Sequence, residues 1–211
     1  MAFDLEEQEQ IAELKQFWKQ YGTLIVTLAL AALLAFAGVQ GWRYYKHSQA
    51  EQASSLFTKF GEAVRKNDIN EIRTLGKQII DGFGSTAYGP TVALLLAKTN
   101  YENGDPAAAA GQLQWAIDKA GDEETAELAR LRLASIRLDE KKYDEALKLL
   151  ESKHSAAMET LYADMRGDIL VAQGKSAEAR AAYKTAIEKS LPNSNYRNVV
   201  QIKLDALGAG K

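Results

Sequence analysis

The residues that could do chemistry are few and scattered. The chain has two histidines, His47 and His154, and no cysteine, so thiol catalysis, disulfides and cysteine-based metal sites are excluded. His47 lies beside an apolar run, and His154 lies in the polar stretch Glu151-Ser-Lys-His-Ser155. Neither has the paired acids a metal site needs, and both read as solvated side chains. Gly82-Phe-Gly84 lacks the lysine of a phosphate-cradling loop. The acids Asp122-Glu123-Glu124 and Asp144-Glu145 stand at helix starts, where the dipole favours them. The Asp139-Glu-Lys-Lys142 run reads as a mixed-charge turn. No constellation for catalysis, metal or cofactor emerges, and the expectation is a protein that is not an enzyme and carries no cofactor.

What the sequence does contain is one long apolar run. Gln20 to Trp42 has no formal charge, and Thr23 to Val39 reads TLIVTLALAALLAFAGV. As a helix, the uncharged stretch covers roughly 34 Å, enough for a bilayer core of about 30 Å. Trp18 and Tyr21 precede it; Trp42, Arg43, Tyr44 and Tyr45 follow, as rings at two membrane interfaces would. Ala35-Phe36-Ala37 has the form of a signal cleavage site, but the head before it is long and acidic, where a signal is short and basic. The reading is therefore an uncleaved anchor, with release by cleavage after Ala37 as the rival.

The head, residues 1–21, has a net charge of −3, and the remainder is close to neutral at +1. That balance provides no basic footprint for nucleic acid. In the head, Ile11, Leu14, Trp18 and Tyr21 recur at helical spacing. They predict a short helix lying at the membrane interface, with a docking segment for a membrane partner as the alternative. Lys15 and Lys19 on one side balance Arg43 and Lys46 on the other, so charge leaves the orientation undecided.

Beyond His47 the chain reads as helices. One is expected over 48–66, ending at Asn67-Asp68, and another over 69–81, ending in Gly82-Phe-Gly-Ser85. Three similar segments follow. Ala109, Ala146 and Ala179 each stand shortly after a turn, spaced 37 and 33 residues apart, and Ala97, Ala134 and Gly167 fill a matching small position before it. A period near 34 with a helix on each side of the turn is the tetratricopeptide pattern. The expected organisation is a head at 1–21, an anchor at 22–45 and a repeat domain at 46–211. The repeats fall near 90–123, 127–159 and 160–193, and a capping helix at 195–207. The fold class is all-α: one transmembrane helix followed by an α-solenoid of helix pairs.

Stacked first helices of such repeats line a groove that can hold a peptide or a partner helix. By repeat position the groove includes Leu94, Lys98 and Tyr101, then Leu131, Ser135 and Leu138, then Asp164, Asp168 and Val171. No small-molecule substrate is expected.

The acidic head, the anchor, Gly41-Trp-Arg-Tyr44, Tyr88-Gly89 with Ala93–Ala97, Leu131-Arg-Leu-Ala134, and Asp164-Met-Arg-Gly167 through Gly174 to Ala179-Arg180 carry a family resemblance. Over essentially its whole length the chain resembles the ancillary SecYEG translocon subunit family of Gram-negative bacteria. The resemblance implies an inner-membrane protein in contact with membrane lipid, its head cytoplasmic and its repeats periplasmic. It implies as partners the SecYEG translocon and a membrane-anchored periplasmic chaperone of the prolyl-isomerase type, and a task of passing emerging chains to chaperones. It supplies no functional residues. The alternatives are an anchored scaffold for envelope assembly or division, and a secreted peptide-binding domain.

Overall fold

The computed structural model describes residues 2–208, with side chains described from Gln10 onward. The described residues form nine α-helices and no strand. They fall into two units, Met1–Glu51 and Gln52–Lys211.

The first unit holds most of α1 (Ala2–Lys66). The expected interfacial helix is not a separate element, because α1 runs from the head through the apolar run without a break. No proline interrupts this stretch, and Gly38 and Gly41 lower helix propensity without ending the helix. Leu33, Leu34 and Phe36 are 64–74% exposed, and every side chain from Thr23 to Lys46 is exposed. A helix apolar all round and uncovered by protein is suited to lipid rather than to water. It is long and apolar enough to cross a membrane. The Thr27 hydroxyl donates to the Thr23 carbonyl at 2.6 Å, so that polar group is satisfied within the run.

In the second unit, the end of α1 packs Phe60 and Ala63 with Ile72 and Ile79 of α2 (Ile69–Phe83) and with Val92 and Leu96. Three helix pairs follow. They are α3 (Tyr88–Glu102) with α4 (Pro106–Lys119), α5 (Glu123–Asp139) with α6 (Tyr143–Leu150), and α7 (Glu159–Ala172) with α8 (Ser176–Lys189). A single helix, α9 (Asn195–Ala206), follows them. The starts are chemically marked. Asp68, Asp105, Asp122 and Ser194 each accept a backbone N–H of the first turn.

The first helices share one ending. Gly104, Lys141, Gly174 and Gly208 all have positive φ, from 60° to 80°, just past α3, α5, α7 and α9. This common ending sets the register of the repeat. Seven residues before it stand Ala97, Ala134 and Gly167, all buried, and in α9 Gln201, which is exposed. Across the first three crossings lie Ala109, Ala146 and Ala179, each with no exposed surface. In the fourth helix the small residue is replaced by a polar one, so α9 offers no seat for another partner helix and ends the stack.

The tightest crossing is at Gly167. A β-carbon added there would lie 2.3 Å and 2.4 Å from two ring carbons of Tyr183. Gly167→Ala gains about 1 kcal/mol of helix propensity, but overpacking costs more, leaving a net loss of about 1–2 kcal/mol. Equilibrium denaturation should register that loss. A variant as stable as the parent would contradict the close crossing.

Candidate functional site

The site is the face on which the first helices stand side by side. They touch through side chains reaching from one pair to the next. The Tyr101 hydroxyl of α3 donates to Asp139 of α5 at 2.5 Å, and Arg132 of α5 donates to the Leu94 carbonyl of α3 at 3.3 Å. Tyr162 of α7 donates to the Glu127 carbonyl of α5 at 2.8 Å. Lys203 of α9 reaches Asp164 at 2.9 Å and Asp168 at 2.7 Å.

The nine expected groove residues separate into two groups. Lys98, Tyr101 and Val171 are exposed, and Leu131, Ser135, Leu138 and Asp168 are half-buried. Leu94 is 8% exposed and belongs to a buried core cluster that also holds Ala109 and Leu113 of α4 and Ala129 and Leu133 of α5. Asp164 is 6% exposed and holds Lys203 and the Tyr196 hydroxyl, the latter at 2.5 Å. Leu94 and Asp164 are therefore structural in this arrangement. Asp168 is similarly engaged, accepting from Tyr183 at 2.7 Å and pairing with Lys203.

The open part of the face is a cleft of 340 Å³ between α3 and α5. Ala97, Leu113 and Ile136 form its floor, and Lys98, Tyr101, Arg132 and Ser135 form its rim. Arg132 is the residue that the repeat pattern missed. It stands one position beyond Leu131, and only the signal of a basic residue inside the apolar run Leu131-Arg-Leu-Ala134 could have found it. The hydrogen bond to Asp139 raises the Tyr101 pKa above its ordinary value, with burial adding to the effect, so Tyr101 remains a neutral donor.

A second cleft, of 600 Å³, lies where Glu123, Glu124 and Glu127 approach residues 153–158. Here the expectation for His154 is corrected. Its side chain is 14% exposed, stacks 4.2 Å from the Tyr162 ring and lies 2.9 Å from Glu159. The polar turn folds back because buried Glu127 accepts from the Ser155 N–H and hydroxyl, which draws the imidazole against α7. His47 is exposed, 3.3 Å from Glu51. Among the described residues no group of three or more His, Asp or Glu side chains could hold a metal.

The tetratricopeptide repeat-like domain family matches residues 15–209. A Neisseria gonorrhoeae protein named ancillary SecYEG translocon subunit is 31% identical over 98% of this chain and 100% of its own length. Proteins of the same name from Haemophilus influenzae and Escherichia coli K12 are 29% and 26% identical. They cover 88% and 95% of this chain, and 91% and 96% of their own.

The α9 clasp sets a pH dependence. Burial raises the pKa of Tyr183 and Tyr196 above the ordinary 10.0, and their bonds to Asp168 and Asp164 raise it further. For Lys203, burial opposes the charge, but its bonds to Asp168 and Asp164 prevail and raise its pKa above 10.5. All three groups favour the folded state in their protonated forms. Their contribution is complete below pH 10 and is lost as the pH climbs through the raised folded values. The urea midpoint should therefore hold steady up to about pH 9.5 and fall above 10. That fall should be smaller in the double variant Y183F/Y196F. An equal fall in parent and variant would contradict the clasp.

Proposed function

The chain belongs to the ancillary SecYEG translocon subunit family, and on that footing we propose that it is a single-pass inner-membrane adaptor at the export channel. In this reading residues 1–21 are a cytoplasmic head and 22–45 the membrane-spanning anchor. Trp18, Tyr21, Trp42, Arg43, Tyr44 and Tyr45 sit at the lipid interfaces. Residues 46–211 hold the repeats in the periplasm. The repeats bind partner proteins and help hand exported chains to periplasmic chaperones, among them a membrane-anchored one of the prolyl-isomerase type.

The observation that carries the partner-binding part is the open face of α3 and α5, with Lys98, Tyr101, Arg132 and Ser135 around an apolar floor. Lys98 and Tyr101 are well exposed. A surface of this form binds without needing chemistry. The exposed apolar α1 supports the anchoring part, and relatives named as translocon subunits support the location. Tethering explains why an adaptor would keep its anchor. Holding a binding module within a few nanometres of a channel exit raises its effective concentration to about the millimolar range.

Purification of the tagged full-length chain from membranes in mild detergent should recover the translocon together with a periplasmic chaperone. Recovery of neither, from membranes in which the chain is abundant, would overturn the proposal. Recovery of cell-wall enzymes in their place would point to an envelope scaffold.

A further inference from the structure

Resting on the reading of the first-helix face as a partner surface, we propose that the cleft between α3 and α5 is selective for acidic segments of a partner protein. It would seat a carboxylate between Lys98 and Arg132 while an aliphatic neighbour covers the floor. The charge distribution around the cleft carries the inference. None of the residues lining it is acidic. Helix α5 has three arginines, and two of them are neutralised elsewhere. Arg130 pairs with Glu123 at 2.8 Å, and Arg137 pairs with Glu140 at 2.7 Å and Glu145 at 3.2 Å. Arg132 makes one hydrogen bond, to the Leu94 carbonyl, and that bond uses one of the five N–H groups of a guanidinium.

The second cation is also available. Lys98 lies 3.7 Å from Glu102 on the same helix, and their side chains are 62% and 60% exposed. An exposed pair of that kind contributes little and exchanges readily with a better-placed carboxylate. Asp139 of α5 accepts from the Tyr101 hydroxyl and lies outside the lining of the cleft. At the α7–α9 junction, two steps further along the stack, the situation is reversed. There Lys203 is held by two carboxylates, Asp164 and Asp168, so that lysine is not available to a partner's carboxylate. Below the cations, Ala97, Leu113 and Ile136 provide an apolar surface that free acetate or phosphate would leave uncovered, which favours a peptide over a small anion.

The test uses the full-length chain in nanodiscs of zwitterionic lipid and three fluorescent twelve-residue peptides, alternating Glu-Leu, Gln-Leu and Lys-Leu. Anisotropy should show the Glu-Leu peptide binding about tenfold or more tightly than its Gln-Leu isostere, the size of one hydrogen bond to a charged group. K98Q and R132Q should each shrink that preference, and E102Q should enlarge it. K98Q changes an exposed side chain, so it tests the inference even if R132Q disturbs packing. Equal binding of Glu-Leu and Gln-Leu overturns the inference, as does a preference that survives K98Q and R132Q together. So does a cleft already filled by a second copy of the chain, seen as a dimer whose formation excludes the acidic peptide. Translocon co-purification reports separately on the adaptor reading, and it would persist if the carboxylate preference alone were wrong.

Discussion

The repeats depend on one constraint, the close crossing of two helices at a pair of small residues. Ala97, Ala134 and Gly167 on the first helices are buried, as are Ala109, Ala146 and Ala179 on the second. At the third crossing, Gly167 leaves room for the ring of Tyr183, whose hydroxyl then reaches Asp168 on the same helix as the glycine. A larger side chain at such a point pushes the helices apart, and packed interiors absorb that poorly. With each pair closed on one side, the first helices are left beside one another on the other. The side chains that link them, Tyr101 to Asp139, Arg132 to Leu94 and Tyr162 to Glu127, follow from that placement.

The same constraint explains how the stack ends. Helix α9 has the positive-φ ending of a first helix, but it carries exposed Gln201 at the crossing point. It is held by Val200, which is fully buried, and by Lys203 and Tyr196 on the carboxylates of α7. The acids that a groove reading assigns to partners are thus used internally at this end. What stays open is the cleft between α3 and α5, where Lys98 and Arg132 stand over an apolar floor and no lining residue is acidic.

Much of this was legible in the sequence, for reasons that are local. An apolar run of membrane length, alanines at a spacing of 37 and 33, and aspartates before helix starts report on interactions within one turn or one repeat. What escaped is set by contacts between segments. His154 reads as solvated because its polar neighbours give no sign that Glu127, 28 residues before Ser155, folds the turn back onto Tyr162. Asp164 reads as a groove residue because Lys203 lies 39 residues downstream. Leu94 reads as a groove residue because repeat position alone does not show that α4 and α5 bury it. The continuity of α1 is different. No breaker separates the head from the anchor, and the sequence pattern already permits a single helix.

An adaptor of the proposed kind would depend on where its binding face is held and on which face it uses. Photocrosslinking in cells, from probes placed singly along the chain, measures the second directly. Probes at Tyr101 and Leu138, on the first helices, should capture partner proteins. Probes at Gln114, Lys148 and Lys184, exposed on the second helices, should capture few. Crosslinks confined to Gln114, Lys148 and Lys184 would contradict the account.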